Sequence, residues 1–198
     1  MRTIEEAALE ASTCTRCRLS QGRTQVVDGV GDPNADLMFI GEGPGFHEDK
    51  QGEPFVGPAG QLLNQVLGEI GLRREQVYIN NVVMCRPPGN RDPLPDEIEA
   101  CKPWLDERIE LIDPSVVVTL GNWATRFVLG PRVSISRVRG QRFPWNGRTV
   151  IPTFHPAAIL HGGGQASKQM DALRSDFQQV SRALAERPEP VEEQLGLF

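Results

Sequence analysis

Four apolar runs, each cut off by a turn signal, constrain this chain most tightly. They are DLMFI (36–40), VYINNVV (77–83), SVVVTL (115–120) and TVIPTF (149–154). Short runs with little polar alternation suit strands buried on both faces. The segments between them change period. Leu62, Leu63, Val66, Leu67 and Ile70 fall at helical spacing within 57–70, and Gly71 stops that helix. Residues 95–112 read as an acidic amphipathic helix, about 122–129 as a shorter one, and 165–186 as a closing helix. Residues 3–12 read as a short helix, Pro87 to Pro95 as a loop, and 132–147 as hairpin-like. Strands alternating with helices predict a parallel or mixed sheet covered on both faces. A chain of 198 residues suits one domain with its own core, placed here at 1–187, with a polar tail at 188–198.

Charge is distributed unevenly. The net value of -5, taken alone, argues mildly against a nucleic-acid partner. Residues 1–113 carry 20 acids and 11 bases, whereas residues 114–170 carry no acid, six Arg and one Lys. Such a stretch could build a basic face of the kind a phosphate backbone prefers, or its arginines could scatter over the fold. No run reaches the roughly 18 apolar residues of a membrane-spanning helix. The opening MRTIEEAALEAS lacks the basic-then-apolar layout of a secretion signal, so a cytoplasmic protein is expected.

Cys14 and Cys17 form a C-x2-C pair, and Cys85 and Cys101 form C-x15-C much later in the chain. Four thiolates suit zinc or a [4Fe–4S] cluster. A second tight knuckle, usual for structural zinc, is missing. Spacing alone leaves cluster, zinc and free thiols open.

Two loops carry the remaining chemistry. GEGPGFHED (41–49) follows a strand directly. It is neither the dinucleotide fingerprint nor a phosphate-binding P-loop, because Phe46 replaces the last glycine and no Gly-Lys-Ser/Thr follows. Gly41 and Gly43 let backbone approach a ligand, and Glu42, Glu48 and Asp49 bring carboxylates to a strand end. The second is TFHPAAIL (153–160), where Pro156 holds His155 in an extended or turn conformation. Either loop could also be a plain turn. Phe55 could be core, whereas Asn80 and Asn81 close a strand, where asparagine is depleted.

In combination these motifs resemble the family 4 uracil-DNA glycosylases, the iron–sulfur class. The resemblance runs over about residues 10–180. It is carried by Cys14-x2-Cys17, GEGPGFHED, GEPFVGPAGQLL (52–63), YINNVV-x-CRPPGNRDP (78–93), Cys101 and HPAA (155–158). It implies a three-layer α/β/α sandwich around a mostly parallel four-stranded sheet. It also implies a [4Fe–4S] cluster on Cys14, Cys17, Cys85 and Cys101. GEGPG stands where the family has GEAPG, and Phe46 and His47 stand where polar or acidic residues are common. A covalently trapping sister group carries a histidine in a basic insertion. PPGNRDPLPDE (87–97) has none, so ordinary turnover is expected.

The resemblance also implies roles. Uracil is flipped out of single- or double-stranded DNA, and its removal leaves an abasic site. Phe55 stacks on the base, Asn81 reads its O4/N3 edge, and Gly41 and Gly43 line its approach. His155 donates to O2 of the departing anion. Glu42 is the first choice for positioning water, Glu48 the second, and Asp49 supports the loop. Ile159 and Leu160 wedge into the vacated space. Arg86, Arg91, Arg137, Arg139 and Arg142 are candidate phosphate contacts. The alternatives are a covalent uracil-trapping relative and a non-catalytic, metal-stabilised nucleic-acid binding module. The terminal QLGLF resembles the pentapeptide that docks on the bacterial sliding clamp, with Gln194, Leu195, Leu197 and Phe198 as anchors. The whole reads as a monomer at the bacterial nucleoid.

Overall fold

A computed structural model describes residues 2–186 of the chain. Helix α1 (Ile4–Ala11) is opened by Thr3, whose hydroxyl accepts from Glu6 N–H while the Glu6 carboxylate returns the bond. The elements that follow are β1 (Val30–Gly31), β2 (Leu37–Gly41), α2 (Phe46–Gln51), α3 (Pro58–Glu69), β3 (Tyr78–Asn81) and α4 (Pro95–Ile112). Then come β4 (Val116–Leu120), α5 (Gly121–Leu129), α6 (Ile135–Val138), β5 (Phe143–Trp145), β6 (Arg148–Thr153), α7 (Pro156–His161) and α8 (Lys168–Ala185).

The sheet has six strands in the order β1-β3-β2-β4-β6-β5. The four apolar runs form its parallel centre, and β1 and β5 add antiparallel edges. The expectation of four strands therefore holds for the centre and misses both edges. Period-two alternation sends Leu37 and Phe39 to one face of β2, and Met38 and Ile40 to the other. The first face packs on Leu63, Val66 and Leu67 of α3 and on Leu173 and Phe177 of α8. The second packs on Leu105 and Ile109 of α4 and Ala124 and Val128 of α5. Burial of both faces explains why the runs read as continuously apolar, and the three-layer α/β/α sandwich stands.

The hairpin lies later than expected. Asn146 and Gly147, at φ 47° and 78°, make a two-residue turn that pairs β5 with β6, so the hairpin occupies 143–153. Positive φ at both turn residues is what the strand twist demands, and Asn-Gly meets it cheaply. Residues 132–142 instead hold α6 and its flanking turns.

Three arginines of the acid-free stretch are drawn into ion pairs. Arg139 pairs with Asp176, Arg142 with Glu186, and Arg148 with Asp113. Acids from neighbouring segments fold onto these arginines and neutralise them. Among the described residues no helix is long and apolar enough to cross a membrane.

Candidate active site

The site lies at the C-terminal ends of the parallel strands. From β2 the chain crosses to β3 on one side and later returns to β4 on the other. Loops diverge at such a switch point and leave a crevice. Here the crevice is a cleft of about 180 Å³, lined by Glu42 to Gly45, by Pro87, Asn90, Arg91 and Pro93, and by His155 and Ala157.

The two expected carboxylates have different duties. Glu42 lines the cleft half-buried, and its pKa is raised to about 7, chiefly by burial and secondarily by the nearby Asp92 carboxylate. A carboxyl group poised there exchanges a proton near neutral pH. Glu48 accepts N–H bonds from Gly45 (3.1 Å), Val56 (3.0 Å) and Gly57 (2.8 Å). With both oxygens on backbone donors, it ties the glycine loop to the Phe55 segment. Asp49 is buried against Thr24, accepting from its N–H (2.8 Å) and hydroxyl (2.6 Å), and so supports the loop as expected.

Asn81 and Phe55 meet over Gly41, the last residue of β2. Asn81 is 1% exposed, and its Oδ1 has no hydrogen-bond partner. An unpaired buried acceptor costs roughly 1–3 kcal/mol unless a ligand supplies a donor. A Cβ on Gly41 would sit 2.4 Å from that oxygen and 2.6 Å from the Phe55 ring, so only glycine admits both. Phe55 is held at φ 55°, a strained backbone for an aromatic residue. Three anchors keep it there: Gly60, where a Cβ would lie 1.7 Å from the Phe55 carbonyl oxygen; Arg74, which donates to that carbonyl at 3.0 Å; and Glu48 on the following amides. Gly60 and Asp92 lie within the quoted motifs but were given no role from sequence, and Arg74 lies outside them. Their contributions pass through contacts with other residues, which the motif strings alone do not display.

His155 caps α7, with its Nδ1 accepting the Ala157 N–H at 3.2 Å. Its pKa is lowered to about 4 by burial, against a smaller upward pull from Glu48. The imidazole is therefore neutral at pH 7, and with Nδ1 accepting, the proton resides on Nε2. The ring lies 5.5 Å from Phe55, centroid to centroid. His155 thus joins the cleft it lines to the Phe55 ring, which shares Gly41 with the unpaired Asn81 oxygen.

A family model for the uracil DNA glycosylase superfamily matches residues 29–178. The chain belongs to that superfamily. It is 53% identical over 159 residues to a type-4 uracil-DNA glycosylase of Thermotoga maritima, covering 79% of this chain and 83% of that protein. It is 45% identical over 197 residues to the type-4 enzyme of Sulfurisphaera tokodaii, covering 95% and 87%. Similarity to a type-5 enzyme of Thermus thermophilus is lower, at 32% over 164 residues, 73% of this chain and 74% of that one.

A uracil-DNA glycosylase of this superfamily must also meet DNA around its cleft, and the candidate contacts divide. Ile159 is 0% exposed and packs in the core against α3 and α8, so the expectation that it wedges into DNA is corrected. Helix α7 turns one side inward, which leaves Leu160, 40% exposed, as the apolar tip. Arg86 and Arg137 have no acidic partner among the described residues. Arg91 stands on the cleft wall with Glu97 bidentate behind it, at 2.9 and 2.6 Å. Arg139 is committed to the buried Asp176 and the Ala172 carbonyl. Arg142 is engaged with Glu186 in an exposed pair.

The four cysteines line a second, apolar pocket with Leu19, Val26, Val83, Met84 and Trp104. Their sulfurs attract donors: Trp104 Nε1–H reaches Cys14, Arg23 reaches Cys85, and Met84 N–H reaches Cys101, each at 3.3 Å. Burial raises the Cys85 thiol pKa and pushes that of Cys101 up to about 12. Among the described residues, no three His, Cys, Asp or Glu side chains close around a single ion. Gln194, Leu195, Leu197 and Phe198 lie outside the described residues.

Proposed function

We propose that this chain is a DNA-repair glycosylase. It flips uracil out of DNA, hydrolyses the N-glycosidic bond and leaves an abasic site. The unpaired Oδ1 of Asn81 beside the Phe55 ring carries this reading best, because uracil N3–H is the donor that oxygen lacks. The amide's own N–H then meets O4. Cytosine presents the reverse pattern on that edge and would leave buried polar groups unpaired. A thymine methyl has no room where the backbone is packed this closely.

Cleavage of the C1′–N1 bond sends both electrons out with the uracil. Nε2–H of neutral His155 donates to O2 of that anion, an interaction typically worth about 3–4 kcal/mol of barrier lowering. Water adds its oxygen to C1′ and gives its proton to the Glu42 carboxylate. A pKa near 7 suits that exchange, and the negative charge also steadies the oxocarbenium-like sugar. Glu48 holds the loop that carries Glu42. Arg86, Arg91 and Arg137 hold phosphates, and Leu160 fills the gap left by the flipped base.

Cys14, Cys17, Cys85 and Cys101 would hold a [4Fe–4S] cluster. Four thiols spread over the walls of one apolar cavity, with N–H donors on three sulfurs, suit a polynuclear centre better than one zinc ion. When bound, such a cluster supplies a four-point crosslink. It joins the segment after α1 to the 85–101 segment, whose Pro87, Asn90, Arg91 and Pro93 wall the cleft. Turnover is ordinary hydrolysis, because the 87–97 loop has no histidine to trap the sugar. The enzyme acts as a cytoplasmic monomer on single- or double-stranded DNA, with QLGLF as a tether to the sliding clamp.

The test is a uracil-containing oligonucleotide followed by alkaline cleavage at abasic sites. Strand breaks with the wild type, lost in Asn81→Ala and His155→Ala, are expected. Absence of breaks in both single-stranded and U·G substrates refutes the reading, and an SDS-stable protein–DNA adduct would mark the trapping variety instead.

A further inference from the structure

Phe46 is out of place for a residue with no task. It is 46% exposed, and among the described residues only Leu9 and Leu160 are other large apolar side chains left so open. A lone exposed aromatic needs no explanation, but the surroundings of this one are specific. It follows Gly45, which lines the cleft. Lys50 Nζ lies 5.0 Å from its ring centroid and Arg86 Cζ 5.2 Å. Arg86 Nε in turn donates to Asn90 Oδ1 at 2.7 Å, and Asn90 is a wall of the cleft. His47 meets the ring edge-on at 5.6 Å. Neither Lys50 nor Arg86 has an acidic partner among the described residues, so both cations rest on a π-face while remaining free to take an anion.

We propose that Phe46 is a stacking platform for the base next to the uracil on the same strand, with Lys50 and Arg86 clamping the phosphates that flank it. An aromatic face with free cations beside it is the usual composition of a single-strand track, where stacking supplies affinity and the cations follow the backbone. The flipped uracil inside the cleft fixes the register. The neighbouring nucleotide must leave the cleft, and Phe46 stands next to it, following Gly45 in the chain and linked to Asn90 through Arg86. The two long cationic side chains exchange the ring for phosphate as the base arrives, so the platform is kept wet and soluble until it is used. Phe46 thereby makes this enzyme less dependent on a second strand. The proposal rests on the glycosylase reading.

The test uses single-stranded oligonucleotides with one uncleavable 2′-fluoro-deoxyuridine and 2-aminopurine on its 5′ or its 3′ side. In the wild type, binding should quench the probe on one side only. Phe46→Ala should lose that quenching and weaken binding by roughly 5- to 150-fold, the range alanine substitution gives for one stacked base. Phe46→Trp should restore both, and Phe46→Leu should not, since it keeps apolar area without a π-face. Lys50→Ala and Arg86→Ala should each lower the salt slope of binding by about one. Inhibition by free uracil should be unchanged in every variant, which shows that the base pocket is intact. Wild-type affinity in Phe46→Ala, or rescue by Phe46→Leu, overturns the platform. Weakened free-uracil inhibition in Phe46→Ala also overturns it, by showing that the residue shapes the pocket instead. A wild-type protein that excises no uracil refutes the glycosylase reading separately.

Discussion

Replacing Glu42 by Gln sets activity against stability. The Glu42 pKa rises from 4.5 to about 7, mainly because burial penalises its charge. Each pKa unit is worth about 1.4 kcal/mol, so the penalty on the ionised form reaches up to about 3 kcal/mol. The carboxyl group is only half-buried, and water at its open side reduces this to about 1–2 kcal/mol. The folded value lies above the unfolded one. The penalty is therefore absent below about pH 4.5, and the corresponding stability is lost as pH rises through 7. Glutamine keeps the shape without the charge. Glu42→Gln should match the wild type in thermal unfolding at pH 5 and exceed it at pH 8 by about 2–8 °C. The same variant should lose about 10²- to 10⁴-fold in kcat on a uracil oligonucleotide. Wild-type kcat/KM should rise with an apparent pKa near 7, a limb the variant lacks. Scanning calorimetry at the two pH values, with single-turnover kinetics, reads both effects. A Tm difference that does not grow between pH 5 and pH 8 would refute the burial reasoning, and full activity in the variant would refute the role.

Asp92→Asn should move the activity limb of the wild type to lower pH, because Asp92 is the second cause of the raised Glu42 pKa; a pH–rate profile reads the direction. Ile159→Ala should cost about 2–5 kcal/mol in urea unfolding as a core cavity. Leu160→Ala should leave stability within about 0.5 kcal/mol while slowing excision from duplex more than from single strands. Cys85→Ala should abolish iron binding and the brown chromophore and lower the Tm; full stability without iron would contradict the crosslinking role. Deleting residues 194–198 should end a sliding-clamp pull-down and spare activity on short oligonucleotides.

Much of the site was legible because its motifs sit at strand ends. Glu42 follows β2, Asn81 ends β3 and His155 follows β6, so periodicity and punctuation locate all three on one rim of a parallel sheet. The helices at 58–69 and 95–112 were legible for the same local reason. What failed depended on partners far away in sequence. The two-residue β1 has no pattern of its own and exists only by pairing with β3. Arg139 looks like a phosphate contact until Asp176, 37 residues later, folds onto it. Ile159 and Leu160 are chemically alike, and only the docking of α7 decides which one faces solvent.

The sequence alone determined the four central strands, the main helices between them and the sandwich class, and it singled out Glu42, Asn81 and His155, because these follow from local period, turn chemistry and motif order. Tertiary structure decided how those residues are electrically set. It lifted Glu42 toward neutrality, held His155 neutral with its proton on Nε2, and turned Glu48 from a water-positioning candidate into a loop anchor. Each of these follows from desolvation or from hydrogen bonds across segments. Those quantities exist only once the chain has closed around the site.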